Sequence, residues 1–325
     1  MQLALVTGTG PAFIGSVDGP LVAALGRRGV RVDAPRWDDD AIDWERYDAA
    51  VVRTTWDYTG RRDAFVAWAG DVARVTSLWN PADVLRWNTH KSYLIELEER
   101  GAPVVPTAWL GQGDDIDLVA LLAARGWDRA VLKPTVGAGS DGLARIDVHR
   151  TDGADAPGEL APAEPVTPPG APVPGGVAPR RPPVLGPAAG QRHLDVLLAA
   201  GDVMVQPFLA SIETRGELSV IVVDGQVTHA VRKLPTGGDY RIQEEFGGRA
   251  ERVDPSPEET ALARWIVDAT GAELLVTRVD LVADEVGAPQ LAELEATEPD
   301  LFLRVVPGAA EPLADAIVRR IAPGR

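Results

Sequence analysis

Apolar and polar positions alternate at the start of the chain in a pattern that predicts strands and a helix. Residues 2–7 and 49–55 are short apolar runs of the kind that forms buried parallel strands. Between them, residues 20–28 show helical periodicity, with a proline in the first turn and a glycine just after the last. This alternation of strand, helix and strand predicts an α/β domain over residues 1–82.

Paired runs separated by turn residues predict antiparallel strands further along the chain. Residues 128–133 and 142–149 flank a glycine-rich loop. Residues 216–223 and 226–232 flank Asp224-Gly225, a dipeptide that strongly favours a two-residue hairpin turn.

The C-terminal part is predicted to contain one helix and a last strand pair. Ser256 is followed by a proline and precedes Glu259 by three residues, the spacing of a capping box. The helix that it opens should end at about Thr270. Residues 273–282 and 289–295 then form the antiparallel pair.

Proline is concentrated in one central segment. Between Pro157 and Pro187 lie 11 of the 27 prolines of the chain, among many alanines and glycines. Because no packed element tolerates that density, we predict a disordered insertion at 151–190. The length of 325 residues suggests two or three packed subdomains. We place the central one over 83–205, with the insertion inside it, and the C-terminal one over 206–325.

Composition and charge exclude several classes of function. The formal net charge of -16 repels phosphate backbones, so nucleic-acid partners are disfavoured. No apolar run reaches about 18 residues, which disfavours a membrane span. The N-terminus lacks a basic leader, and the cytoplasm is the expected location. The chain has no cysteine, which excludes disulfides, cysteine nucleophiles and thiolate metal sites.

The last strand pair carries the most informative polar pattern. Side chains alternate along a strand, so Arg278 and Asp280 share one face, and Glu293 and Glu295 share a face of the return strand. If the register aligns these faces, three carboxylates and one guanidinium converge. Carboxylates and substrate phosphates are the usual ligands of Mg²⁺ in such sites. The alternative interpretation is a solvated face of an acidic protein.

A second candidate feature is a lysine at the end of an apolar strand. Lys133 precedes a loop that contains Gly137, Gly139 and Ser140. Glycines let backbone N–H groups approach an anion closely, and a strand-end lysine neutralises it. Taken alone, the segment is more often an ordinary hairpin loop with an exposed lysine.

A third candidate feature is a strand that ends in Gln206, Pro207 and Phe208, with Glu213 soon after. Such a segment can hold an adenine between apolar groups, and the carboxylate can bind ribose hydroxyls. By itself, the pattern also fits a purely structural strand end.

A dinucleotide site is a weaker alternative. Gly8 and Gly10 follow the first strand and Asp33 follows the second, as in a dinucleotide-binding motif. The third glycine, Gly15, comes two places late for GxGxxG, so the motif is incomplete. An oxidoreductase that uses these residues remains an alternative function.

Four residues at the end of the strand over 49–55 are candidates for substrate binding, because ligands bind at the carboxyl ends of parallel strands. Arg53 can clamp a carboxylate and Asp57 an ammonium group, with Trp56 and Tyr58 beside them. The alternative is a capped strand end with a packed tryptophan.

The order of these motifs along the chain resembles that of the ATP-grasp superfamily, which includes D-alanine–D-alanine ligase and glutathione synthetase. The resemblance covers about residues 80–320, apart from the insertion. It rests on Lys91, Lys133, the segment from Gln206 to Glu213, Arg232-Lys233, Arg278 with Asp280, and Glu293 with Glu295. One departure is Glu295, which stands where the family usually has asparagine.

The resemblance implies an ATP-grasp fold of mixed α/β and α+β class, with an N-terminal Rossmann-like domain. It also implies ATP and two Mg²⁺ as cofactors, with Mn²⁺ as a substitute. The implied roles are phosphate contacts for Lys91 and Lys133, ribose binding for Glu213, contact with the transferred phosphate for Arg232 or Lys233, transition-state stabilisation for Arg278, and metal binding for Asp280, Glu293 and Glu295.

More narrowly, the chain is similar to the subgroup that contains cycloserine synthetase, an O-ureido-D-serine cyclo-ligase. The similar segments are residues 51–58, Trp79-Asn-Pro81, Trp87-Asn-Thr-His-Lys91, and Glu293-Leu-Glu295 with Glu298-Pro299. We therefore expect a carboxylate–amine ligase or cyclo-ligase that forms an acyl phosphate on a small amino-acid-like substrate. A nucleotide-binding module without ligase activity is the alternative, and a homodimer is left open.

Overall fold

A computed structural model describes the fold of most of the chain. The described residues are 1–9, 17–139, 141–151, 183–234 and 249–322. They form two compact units. Met1–Pro103 and Ser211–Arg325 make up the first unit, and Val104–Ala210 make up the second.

The first unit begins with a parallel four-stranded sheet in the order β2-β1-β3-β4. This confirms the α/β character predicted for the start of the chain. The strands are β1 (Gln2–Thr7), β2 (Arg31–Asp33), β3 (Ala49–Thr54) and β4 (Leu78–Trp79), and the helices are α1 (Gly19–Arg27), α2 (Arg62–Val72), α3 (Ala82–Asn88) and α4 (Tyr93–Glu99).

The second unit is a five-stranded sheet in the order β5-β9-β6-β7-β8, with two helices. Strands β6 and β7 are antiparallel, as predicted from the runs around the glycine-rich loop. The elements are β5 (Ala108–Leu110), α5 (Leu118–Arg125), β6 (Arg129–Pro134), β7 (Ala144–Asp147), β8 (Val184–Leu185), α6 (Pro187–Ala200) and β9 (Val203–Pro207).

The chain then returns to the first unit and forms a second five-stranded sheet, in the order β12-β11-β10-β13-β14. The predicted hairpin turn is confirmed, with positive φ at Asp224 and Gly225. The capping box at Ser256 is also confirmed. The elements are α7 (Ser211–Arg215), β10 (Glu217–Val223), β11 (Gln226–Leu234), β12 (Arg249–Val253), α8 (Pro257–Ala269), β13 (Val276–Ala283), β14 (Pro289–Glu295) and α9 (Ala310–Ile321).

One apolar core joins the two sheets of the first unit. Leu3 and Leu5 of β1 belong to the same buried cluster as Ile221 of β10, Leu275 and Ile317 of α9. Burial of apolar surface is the main favourable term in folding, so the two ends of the chain stabilise each other. The sequence predicted three domains, whereas the structure has two units, because this core contains residues of both the first and the last predicted domain.

The predicted insertion at 151–190 extends too far toward the C-terminus. Strand β8 pairs with β7, and helix α6 begins at Pro187, where proline is well tolerated at the first helical position. Residues 152–182 lie outside the described residues. Within the described ranges, no helix is both long and apolar enough to cross a bilayer.

Candidate active site

The paired strands β13 and β14 bring the predicted carboxylates together. Arg278 is opposite Glu295 and Asp280 is opposite Glu293, so the predicted alignment of polar faces is confirmed. Carboxylate oxygens of Asp280, Glu293 and Glu295 lie within 4.8 Å of one another. This spacing suits shared ligation of a cation.

Arg278 is the basic centre of this face. It is 8% exposed, and its Nε lies 3.0 Å from both carboxylate oxygens of Asp280. Its Nη2 also donates to Glu295, and its Nη1 donates to the carbonyl of Asp300 at 3.3 Å. The guanidinium is therefore fixed in orientation before any ligand binds.

Strands β10 and β11 add a lysine and a further carboxylate to the same face. Lys233 forms an ion pair with Glu217, and its Nζ lies 3.6 Å from Asp280 Oδ1. Ser219 donates to the same oxygen at 2.5 Å. Arg232 points to the other face of β11, where its Nη2 lies 3.3 Å from Glu259. Of the two predicted basic residues, only Lys233 belongs to this site.

Lys91 and Glu298 complete the site in the first unit. Lys91 Nζ lies 2.9 Å from Glu293 Oε1. Glu298 is 7% exposed and forms a hydrogen bond with the Tyr58 side chain. We call this group the carboxylate cluster; its members are Glu217, Asp280, Glu293, Glu295 and Glu298, with the basic residues Lys91, Lys233 and Arg278.

The electrostatics of the carboxylate cluster favour an added cation. Burial, with help from neighbouring carboxylates, raises the pKa of Glu295 to about 8 against the opposing charge of Arg278. Burial likewise raises the pKa of Glu298 to about 7, although Lys91 opposes the shift. Burial would also raise the pKa of Asp280, but Arg278 and Lys233 outweigh it and hold that pKa at about 2.

Five carboxylates against three basic groups leave a surplus of two negative charges when all are ionised. Burial and the neighbouring carboxylates together favour the protonated form of Glu295 near neutrality. A divalent cation matches the surplus in charge, and carboxylate oxygens are the donors that Mg²⁺ prefers. Asp280, Glu293 and Glu295 therefore fit the metal that the sequence predicts.

The four predicted substrate-binding residues have internal partners instead. Arg53 is 1% exposed, and its guanidinium is held by Asp18 and by the carbonyl of Pro299 at 3.0 Å. Trp56 Nε1 donates to the carbonyl of Glu298 at 3.2 Å. With Tyr58 these residues hold the segment that carries Glu298. Arg53 is thus buried against Asp18 and is not free to clamp a substrate carboxylate.

Asp57 is occupied by the end of β1 and by its neighbours. It accepts hydrogen bonds from the backbone and hydroxyl of Thr9 at 3.1 and 2.9 Å, and Arg61 pairs with it at 3.1 Å. A Cβ on Gly8 would come within 2.0 Å of Asp57 Oδ1. Any side chain at position 8 would clash with this carboxylate, which accounts for the glycine without a bound dinucleotide and weakens the dinucleotide alternative. Gly10 and Gly15 lie outside the described residues.

The second unit contains the predicted phosphate loop. Lys133 lies in β6 and is half-buried, and the loop that follows includes Gly137 and Gly139, the latter with φ 62°. A positive φ favours glycine at that position. Ser140 lies outside the described residues.

The predicted adenine strand is β9, which pairs with β6. Gln206 is buried and donates to the Thr107 hydroxyl at 3.0 Å. Phe208, just beyond Pro207, is buried under the guanidinium of Arg145, which lies 4.0 Å from the ring centroid. In the first unit, Glu213 lies on the short helix α7 with an exposed side chain.

The sequence interpretation missed Glu217 and Ser219, and it quoted Glu298 only as part of a similar segment. Glu217 and Ser219 alternate on β10, the strand between β11 and β13. The hairpin at Asp224 indicated only that β10 lies beside β11, because a register shift between Ile221 and Val222 alters which of their residues face each other.

Comparisons with known families agree with this fold. Residues 3–80 match the family described as D-cycloserine synthetase DcsG, N-terminal domain, and residues 189–299 match the RimK-like ATP-grasp domain. The cycloserine biosynthesis protein DcsG of Streptomyces lavendulae is 31% identical over 319 residues, which cover 94% of this chain and 93% of the relative.

Solved structures show the same similarity. The crystal structure of D-cycloserine synthetase DcsG superposes with a TM-score of 0.79 and 28% identity, covering 99% of this chain and 100% of that one. D-alanine–D-alanine ligase from Bacillus anthracis complexed with ATP has the same fold, with a TM-score of 0.67, 13% identity, and coverage of 99% and 97%.

The fold and the relatives define the class: this is an ATP-grasp ligase, an enzyme that forms carbon–nitrogen bonds. Within that class, the chain belongs to the family of the cycloserine biosynthesis protein DcsG. Enzymes of the ATP-grasp class use ATP and a divalent metal.

Proposed function

We propose that the protein ligates a carboxylate to an amine-type nitrogen on a small amino-acid-like substrate, through an acyl phosphate. The carboxylate cluster around Arg278 is the observation that carries this proposal. It offers fixed positive charge beside three carboxylates that suit a metal. The similarity to D-cycloserine synthetase supports an amino-acid-like substrate and allows an intramolecular ring closure.

The proposed reaction has two steps. A substrate carboxylate oxygen attacks the γ-phosphorus of ATP, forming an O–P bond while the bond to the bridging oxygen breaks and ADP leaves. The nitrogen then attacks the acyl carbon, the C–O bond to phosphate breaks, and the nitrogen loses a proton. Both steps depend on positioning and charge neutralisation more than on covalent help from a side chain.

The side chains of the first unit have distinct roles in this proposal. Arg278, held by Asp280, stabilises the charge that develops on the reacting oxygens. Lys233 lies beside it and lowers the cost of bringing a phosphate near the carboxylates. Asp280, Glu293 and Glu295 would hold two Mg²⁺. Such ions, when bound, neutralise phosphate charge and help to orient the transferred group.

In the second unit, we assign the phosphate contacts to Lys133 and to the loop with Gly137 and Gly139. Gln206, Pro207 and Phe208 are assigned to the adenine. Glu213, in the first unit and exposed, is assigned to the ribose hydroxyls. Cytoplasmic location and a homodimer are further proposals, which cell fractionation and light scattering would test.

The experiment is a screen for ADP release over amino acids and ureido-amino acids, with the mass of each product. Added hydroxylamine should trap the acyl phosphate as a hydroxamate. Arg278→Gln should slow turnover by about 10²–10³-fold, the usual cost of losing one oxyanion donor. Arg232→Gln is the matched control and should turn over like the parent. ADP release without any hydroxamate or ligated product would contradict the proposal.

A further inference from the structure

The strand that carries two of the three metal-binding carboxylates lies at the edge of its sheet. Among the residues that the structure describes, β14 pairs with β13 on one side only. Glu293 and Glu295 direct their backbone groups toward β13, so those of Leu294 and Ala296 point away from the sheet. Edge strands fray more readily than central ones because these outward groups lack a strand partner.

Asn88 takes the place of the missing strand at this edge. Its Nδ2 donates to the carbonyl of Leu294 at 2.7 Å, and its Oδ1 accepts from the backbone N–H of Ala296 at 2.7 Å. The same oxygen accepts from the Thr297 hydroxyl at 3.1 Å. The residue between the two contacts is Glu295, so one side chain fixes the backbone on both sides of that carboxylate.

Asn80 also binds the backbone just after Glu295. Its Nδ2 donates to the carbonyls of Val276 and Ala296, at 2.8 and 2.7 Å. Its Oδ1 accepts from the backbone N–H of Leu275 at 2.7 Å. It therefore joins the beginning of β13 to the end of β14, and uses both amide hydrogens to do so.

These two residues are the only asparagines in the chain. Both are buried, with exposures of 3% for Asn80 and 8% for Asn88. The stretch that carries them also supplies Tyr93, whose hydroxyl accepts from the backbone N–H of Leu294 at 3.0 Å. It supplies Lys91 as well, which pairs with Glu293. The contacts that residues 80–93 make with the end of β14 and the residues after it thus fall on both sides of Glu295, from Glu293 to Thr297.

We propose that Asn88, with Asn80 and Tyr93, is a positioning residue for the metal: it fixes the backbone of Glu295 so that its carboxylate stays beside those of Glu293 and Asp280. Like charges held close repel one another, so an unrestrained edge strand would move Glu295 away from its neighbours. Groups that orient metal ligands typically change metal affinity when they are lost. This inference rests on the metal assignment in the proposed function.

A purely structural role for Asn88 predicts a different result. The loss of buried hydrogen bonds would lower stability and leave the metal affinity of the folded protein unchanged. Gln191 in the second unit provides the matched control, because its amide also clamps two backbone groups. Its Oε1 accepts from Leu118 N–H and its Nε2 donates to the Ile116 carbonyl, both at 2.8 Å.

The test measures Mn²⁺ binding by electron paramagnetic resonance, with ADP present and well below the melting temperature of each variant. Asn88→Ala should weaken Mn²⁺ binding by about 10–100-fold, as losses of orienting groups do. Tyr93→Phe keeps the ring, removes the contact with the Leu294 N–H and should weaken Mn²⁺ binding by a few fold. This second variant tests the proposal if Asn88→Ala does not fold. ADP binding without metal should match the parent in both variants, and Gln191→Ala should bind Mn²⁺ like the parent.

Each other outcome overturns a distinct claim. Parent-like Mn²⁺ affinity in Asn88→Ala, or in Tyr93→Phe where that variant alone folds, would overturn the positioning role and leave the metal site intact. An equal loss in Gln191→Ala would show a general effect of stability and would also overturn it. A parent protein that binds no Mn²⁺ with ADP would overturn the metal assignment itself, and the inference with it.

Discussion

Lysines are rare in this chain, and each of them is a predicted phosphate contact. Only three of its 32 basic residues are lysines, and these are Lys91, Lys133 and Lys233. Two of them pair with carboxylates of the cluster. A lysine ammonium is a compact charge on a flexible stem, so it can turn from a carboxylate to a phosphate more easily than a bidentate guanidinium. Lysine-specific acetylation read by mass spectrometry therefore reports directly on the predicted phosphate contacts.

Lys133→Ala should weaken Mg²⁺–ATP binding without unfolding the protein. The loss of one charge-assisted contact is worth about 1.5–3 kcal/mol, which is roughly a 10–150-fold change in affinity. Calorimetry with Mg²⁺ present measures it, and Mg²⁺–ATP should protect Lys133 from acetylation in the parent. Arg125→Ala removes a cation from the same unit as a control. Unchanged ATP affinity in Lys133→Ala would remove this lysine from the site.

His229 should make the protein sensitive to acid. Its Nε2 donates to the carbonyl of Leu301 at 2.8 Å, and burial, with the charge of Arg252, lowers the pKa of the imidazole below 6.5. As the pH falls, the unfolded chain therefore binds a proton at His229 before the folded protein does. The contribution of His229 to the free energy of unfolding is complete above about pH 6.5 and is lost as the pH falls toward the folded pKa.

The measurement for His229 is the free energy of unfolding between pH 5 and 8, compared with His229→Gln. The difference between parent and variant should shrink as the pH falls, because only the parent loses stability through this group. Glu295 and Glu298, whose pKa values are raised, act in the opposite direction and are common to both proteins. A constant difference across this range would show that His229 does not titrate with folding.

At the scale of elements, strand alternation was enough to predict the polar face of β13 and β14. It could not decide between Arg232 and Lys233. An ideal two-residue hairpin would place Arg232 opposite Glu217, but a register shift between Ile221 and Val222 places Lys233 there. One extra residue in a strand moves every later side chain to the other face.

Contacts between segments that are distant in the sequence could not be predicted either. Arg53 was predicted to bind substrate because nothing local reveals Asp18 as its buried partner, 35 residues away. The contacts of Asn88 with β14 span more than 200 residues of chain. Periodicity reports which face of an element is buried, whereas such pairings depend on how the elements come together.

Replacing residues 153–182 with a short Gly/Ser linker should leave the melting temperature and ATP binding nearly unchanged. Their composition offers little apolar surface to offset the entropy of ordering a chain. The contrasting variant replaces 153–188, which also removes β8 and the start of α6. Calorimetry should show a clear loss of stability only for the longer replacement. A drop of many degrees for the shorter one would contradict the prediction.

At the scale of the whole molecule, the charge surplus of the carboxylate cluster lies beside a core that joins both ends of the chain. Leu275, which belongs to that core, donates its backbone N–H to Asn80. A ligand that binds only the folded protein stabilises it in proportion to its affinity and concentration. Metal binding at the cluster should therefore appear in the unfolding of the entire first unit.

Mg²⁺–ATP should raise the melting temperature by several degrees, and Glu293→Gln should abolish most of that gain. At 100 times its dissociation constant, a ligand adds about 2.7 kcal/mol, which is roughly 5–10 °C for a unit of this size. Without metal, Glu293→Gln should be about as stable as the parent, because the lost contact with Lys91 is offset by one fewer charge in the surplus.

Glu311→Gln removes a carboxylate from the surface pair with Arg28 and should keep the full response to Mg²⁺–ATP. Scanning calorimetry with and without Mg²⁺ measures all three proteins. If Glu293→Gln gained as much as the parent, this carboxylate would not bind the metal and the metal assignment would fail. Glu295→Asn is the companion variant, since it restores the residue usual in ATP-grasp enzymes; a retained Mg²⁺ response there would show that the extra negative charge is not required for metal binding.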